Sequence, residues 1–163
     1  MKKNLIIFIS EFNLGGAGNS IFKLFNNLPK NKFKISIICL NQCYYKDELS
    51  KIGVELFEIK SKKTFFAMQK IRHLVKRLIR KDYKNIYLSN IHFSNILSVL
   101  FLNSIDIKII LVERTPYEEL KIYYNFFDFI KKNLIKILIN FTFHRAHACV
   151  SNSKYISDKY NEN

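Results

Sequence analysis

The sequence predicts an α/β protein built on a single Rossmann-like, doubly wound parallel sheet, and three observations carry that prediction. Short apolar, β-branched runs alternate with longer stretches whose apolar residues recur at helical spacing. The first run, Leu5-Ile6-Ile7-Phe8-Ile9, is apolar without interruption, as a strand buried on both faces must be. Three of the four glycines gather just after it, at Gly15, Gly16 and Gly18, where such a sheet turns from strand into helix.

The elements follow in order. Ile21, Leu24, Phe25 and Leu28 form an apolar stripe that makes the next segment a helix, closed by Pro29. Phe33 to Leu40 reads as the second strand, Asp47 to Ile52 as a short helix, and Val54 to Ile59, after Gly53, as the third strand. Thr64 to Arg80 is a long helix with Ile71, Leu74, Val75, Leu78 and Ile79 on one face. Asn85 to Ser89 is the fourth strand, Phe93 to Leu102 a helix and Lys108 to Val112 the fifth strand. Glu118 to His144 is one long helix or a broken pair. Ala146 to Val150 is the sixth strand, and a further helix begins at Lys154.

A chain of 163 residues with 48% hydrophobic residues, 15 Phe and 9 Tyr forms one domain with a real core, over residues 1–163. The net charge of +14 calls for an anionic partner: nucleic acid, a membrane surface or a phosphorylated ligand. Paired Cys/His spacing, an aromatic RNA-binding strand and a short helix-turn-helix are all missing, so no nucleic acid is expected and membrane or phosphate leads. Cys39, Cys43 and Cys149 are odd in number and badly spaced for zinc. They read as free buried thiols in a reducing compartment, and no metal is expected. Met1-Lys2-Lys3 with Leu5 to Ile9 resembles a signal peptide only until Ser10-Glu11, where the apolar run ends. Phe126 to Phe143 is too interrupted by Asp128, Lys131, Lys132 and Lys136 to be a membrane span.

In an open parallel sheet, ligands bind beyond the carboxyl ends of the strands. The loop Leu14-Gly15-Gly16-Ala17-Gly18-Asn19 meets this rule. Its glycines admit close backbone approach, and the helix N-terminus offers unpaired N–H groups to a phosphate. It has neither dinucleotide nor P-loop spacing, and a plain tight turn with an Asn or Ser cap is the alternative. After strand four, Asn90-Ile91-His92 puts an imidazole in the cleft as hydrogen-bond donor or base, or leaves it an ordinary loop residue. After strand five, Glu113-Arg114-Thr115-Pro116 offers a guanidinium for phosphate or sugar hydroxyls, with Glu113 to orient it or act as a base. The alternative there is a surface salt bridge. After strand six, Ser151-Asn152-Ser153 either contacts a ligand or caps the following helix through Ser153.

Two helices are basic as well as apolar. Lys70, Arg72, His73, Lys76, Arg77, Arg80 and Lys81 crowd one, and Lys131, Lys132 and Lys136 lie among the aromatics of the other. Basic amphipathic helices adsorb to anionic lipid, at about 1 kcal/mol per basic residue near the surface, although a solvated face over a core stripe looks the same.

The ordered set of these pieces resembles the N-terminal, acceptor-side domain of the retaining, GT4-type GT-B glycosyltransferases. The matching segments are Leu5 to Ile9 with Leu14 to Gly18, Ser89-Asn90-Ile91-His92-Phe93-Ser94-Asn95, Val112 to Pro116, and Cys149 to Ser153, spanning nearly the whole chain. The resemblance implies a loop at Gly15, Gly16, Ala17 and Asn19 facing the donor's diphosphate. It implies His92, Glu113 and Arg114 as catalytic residues, with Asn90, Thr115, Ser151 and Asn152 along the acceptor cleft. It also implies a nucleotide-sugar donor, no cofactor and no metal. The acceptor would be lipid-linked or saccharide, as in surface polysaccharide or lipopolysaccharide synthesis, reached on the inner, cytoplasmic face of a membrane. The family's paired-glutamate motif lies in a C-terminal donor-binding domain, which is expected to be absent, so the chain alone is expected to be inactive. A non-catalytic, membrane-recruiting subunit of a split transferase with a separate donor-binding chain is the second reading. A basic, nucleic-acid-associated α/β protein is the third.

Overall fold

A computed structural model of the chain describes residues 2–12, 15–41 and 43–161. Leu14 of the glycine loop, Met1 and the final Glu162 and Asn163 lie outside the described residues. Six parallel strands form one sheet: β1 (Lys3–Ile9), β2 (Phe33–Cys39), β3 (Glu55–Glu58), β4 (Lys84–Asn90), β5 (Lys108–Glu113) and β6 (Ala148–Ser151). Their spatial order, β3-β2-β1-β4-β5-β6, is that of a doubly wound fold, with its switch point between β1 and β4. β1 pairs with β2 from Lys3↔Phe33 to Ile9↔Cys39, and with β4 from Lys3↔Lys84 to Phe8↔Ser89. As the centre of the sheet it is buried from Asn4 to Ile9, which explains its unbroken apolar run.

Between and after the strands run the helices α1 (Gly16–Asn27), α2 (Lys46–Lys51), α3 (Thr64–Leu78), α4 (His92–Leu102), α5 (Phe126–Thr142) and α6 (Lys154–Asn161). Alternate strand residues point to opposite faces. Leu5, Ile7, Ile9, Ile35 and Ile37 pack with Ile21 and Phe25 of α1 and Leu49 of α2. On the other face, Ile6, Phe8, Tyr87, Ile109 and Leu111 pack with Ala67, Met68, Ile71 and Val75 of α3 and Leu97, Val99 and Leu102 of α4. Beyond α4, Ile139 of α5 joins Ile96, Tyr117 and Leu120 in a smaller cluster.

Several boundaries differ from the sequence reading by one or two residues, two of them at the site, and one open alternative is decided. Glu113 is the last residue of β5 rather than the first of the loop. His92 opens α4 instead of preceding it. The Glu118–His144 segment is the broken pair: a 3₁₀ turn over Tyr117–Lys121, then α5, capped at its start by Asn125, whose Oδ1 accepts from the Asp128 N–H at 2.8 Å. Cys39 and Cys43 are buried thiols as expected, and burial pushes Cys39 up to about 12. Cys149 departs from that expectation and is exposed, because it lies on the outermost strand.

Candidate functional site

The pair Glu113-Arg114 holds the centre of the candidate site, but as two separate arms. Successive residues at a strand end project to opposite faces of the sheet. Glu113 points to the side covered by α4 and α5, and Arg114 to the side covered by α1. Glu113 therefore does not orient Arg114, and the alternative of a surface salt bridge between them is not made either: Glu113 is fully buried, and its side chain meets His92.

A buried carboxylate needs donors, and three converge on this one. Asn95 Nδ2 donates to Oε1 at 2.6 Å, and His92 Nδ1 lies 3.0 Å from Oε2. Tyr160 brings its hydroxyl within 2.9 Å of the same His92 nitrogen. Burial, followed by the charge of Glu113 and the hydrogen bond to it, pushes the Tyr160 phenol well above its ordinary range. A carboxylate acceptor fixes the proton on Nδ1 of His92, leaving the Nε2 lone pair as the ring's reactive edge. Among the described residues no hydrogen bond occupies Nε2. Asn95 is itself held by donating to the Val112 carbonyl at 3.1 Å, and the Tyr160 ring stacks on Phe143 and meets Tyr117 edge-on.

His92 lines a groove of about 610 Å³ between α4 and α5. Phe93, Leu120 and Ile135 supply its apolar wall, and Lys63, Lys131, Lys132 and Glu119 its charged rim. The residue before His92 is strained: Ile91 sits at φ 73°, where a β-branched side chain is rarely found. Its N–H nonetheless donates to Val112 and its carbonyl accepts from Asn95, so hydrogen bonds on both sides hold it there. Strain of this kind concentrates where geometry serves a site.

The second arm lies at the switch point. Asn90 is buried; its Nδ2 donates to the Phe8 carbonyl at 3.1 Å, and its Oδ1 accepts from Arg114 Nε at 3.2 Å. Arg114 Nη1 donates to Ser20 Oγ at 3.2 Å, one turn into α1. Among the described residues no carboxylate pairs with this half-buried guanidinium, and burial lowers its pKa. A half-desolvated cation beside the N-terminus of a helix favours an anion. Gly15 caps α1 in extended backbone and Gly16 begins it, so neither needs positive φ. A β-carbon on Gly16 would meet no atom within 4 Å, which leaves space for a ligand. Ala17 lies in the first turn. Asn19 accepts from Tyr45 Oη at 2.5 Å through its Oδ1, so that oxygen is engaged within the fold.

The remaining predicted residues are peripheral. Thr115 is partly exposed beside Arg114, and Ser151 lines a smaller cavity with Tyr160 and Cys149. The exposed Asn152 donates its N–H to the Glu113 carbonyl, and Ser153 caps α6 by accepting from the Ile156 N–H. The basic helices split. The apolar face of α3 is consumed by the core, leaving Lys70, Lys76 and Arg77 on an ordinary solvated face. Arg72 is tied to α4, donating to the Phe101 carbonyl and to Ser104 Oγ, and Arg80 lies beyond the helix end. On α5, Lys131 is exposed, whereas Lys132 pairs with Asp128 at 2.9 Å and Lys136 donates to Tyr123 Oη at 2.6 Å. Among the described residues no group of three or more His, Cys, Asp or Glu is placed to hold a metal.

A scan of the sequence against protein-family models gives no match, and a search of curated proteins finds no relative.

Proposed function

We propose that the chain is the acceptor-side half of a sugar transferase. The observation that carries this reading is the His92–Glu113 hydrogen bond on the wall of a lysine-rimmed groove. Glu113 fixes Nδ1–H, so Nε2 is free to take a hydrogen bond from an acceptor hydroxyl and draw off its proton as the oxygen becomes a nucleophile. The apolar wall suits the hydrophobic face of a sugar ring or a lipid tail, and the lysines suit a phosphate on the acceptor. Across the edge of the sheet, Arg114 and the N-terminus of α1 form a wall suited to the diphosphate of a nucleotide sugar. The rest of the donor site comes from a second domain or a separate subunit, and no cofactor enters the scheme. Retention at the anomeric carbon rests on the family resemblance.

The test is an NMR titration of the four histidine side chains with neutral, phosphorylated and lipid-linked oligosaccharides, His92 being assigned from His92→Gln. An acceptor saccharide is expected to shift His92 Nε2, and Glu113→Gln to abolish that shift while the other three histidines stay in place. If no saccharide moves the His92 signals, the reading fails.

A further inference from the structure

The helix α5 is apolar on two sides, and the core uses only one. Ile135, Leu138 and Ile139 turn inward toward α4 and the 3₁₀ turn. On an adjoining side Phe127, Ile130, Leu134, Ile137 and Phe141 recur at intervals of three and four residues, which aligns them in one stripe. All are exposed, Phe127 at 81% and Ile137 at 64%. A contiguous exposed apolar stripe of this kind marks an interaction surface.

The surroundings identify the occupant. Helices that follow parallel strands begin at the carboxyl edge of the sheet, so the first turns of α3, α4 and α5 lie at the same edge as the His92 groove. Each carries exposed aromatics: Phe65 and Phe66 on α3, Phe93 on α4, Phe126 and Phe127 on α5, with Tyr124 just before it at 83%. The cations Lys63 and Lys131 stand among them at the groove's rim, and Asp128 is neutralised by Lys132. A second copy would bring +14 against +14, whereas an anionic lipid surface complements both the charge and the aromatic belt. No described helix is long and apolar enough to cross a membrane, so α5 would lie in the interface.

We infer that the outward stripe of α5, with the aromatic rim at its N-terminal end, docks the protein on an anionic lipid surface and opens the His92 groove toward it. This deepens the transfer reading by naming where the acceptor enters, but the docking itself does not require that reading. It also moves the membrane-binding face from the basic sides of α3 and α5 to the outward apolar side of α5.

Flotation of the full chain with phosphatidylglycerol–phosphatidylethanolamine vesicles tests it, with pure phosphatidylcholine vesicles for comparison. The chain is expected to float with the anionic vesicles and to be released by raised salt. Replacing exposed residues together, Phe127→Gln, Ile130→Gln and Ile137→Gln, is expected to lower the partition coefficient at least about tenfold with an unchanged melting temperature. Lys131→Gln is expected to lower it about fivefold. The single variants Phe127→Gln and Ile137→Gln give the same direction should the triple variant fold poorly. The inference is overturned if the parent chain stays unbound, or if the triple variant floats equally well. It is also overturned if sedimentation finds a dimer that the triple variant dissociates, since a second copy then covers the stripe. A negative flotation leaves the saccharide titration of His92 unaffected, so the two failures are separable.

Discussion

The two sides of the β5 terminus solve opposite electrostatic problems with adjacent residues. Glu113 is a charge inside the protein and is surrounded by donors from α4 and α6; Arg114 is half in water and keeps only neutral partners, Asn90 and Ser20. A satisfied buried carboxylate belongs to the architecture and positions another group. A cation left without its counter-charge is free to take one from a ligand. The comparison separates a side chain that builds the site from one that is available to bind.

The largest expected effect tests the building side. Glu113→Ala leaves His92, Asn95 and Tyr160 facing an apolar void, and should lower the unfolding free energy by about 3 kcal/mol in a urea titration. A loss within a few tenths would mean that water reaches the carboxylate and that the two arms do not differ. An intermediate effect of opposite sign is expected at the hinge between them. Ile91→Gly relieves the left-handed backbone and, net of the added freedom of the unfolded chain, should stabilise by about 1 kcal/mol in the same titration. Destabilisation there would show that the turn carries no strain. The smallest stability effect belongs to Arg114→Ala, within about 0.5 kcal/mol, because only neutral hydrogen bonds at a partly exposed site are lost. Pyrophosphate is expected to raise the melting temperature of the parent chain, and the same substitution to abolish that rise. A large destabilisation instead would make Arg114 part of the scaffold.

The fold was legible because its signals are local. Continuous apolar runs and helical stripes marked all six strands and the helices between them, and even the crowding of glycines after β1 marked the switch-point loop. Glu113 was misplaced by one residue because a buried carboxylate at a strand end breaks the apolar pattern just as a loop residue would. Its separation from Arg114 then follows from the two-residue period of a strand, which the pair's adjacency in sequence hides. The start of α5 was marked by Asn125 and Asp128, a capping pair that the surrounding aromatics obscured. Asn95 left a faint trace as a polar residue within an apolar helix. Tyr160 left none, since it reaches His92 across 68 residues and only the return of α6 along the sheet edge brings it there. With α5, periodicity found apolar residues but could not say which of two apolar sides meets the core.

The central strand also sets the order in which the protein can assemble. β1 pairs on its second side with a strand that begins far along the chain, at Lys84 opposite Lys3. At ordinary synthesis rates of about 5–20 residues per second, roughly four to sixteen seconds separate the emergence of the two. Throughout that interval one edge of the most hydrophobic strand in the chain is unpaired. Until Lys84 to Asn90 arrive, the sheet can exist only as a fragment centred on β2, and the Glu113 arm is complete only once α6 brings Tyr160 to His92.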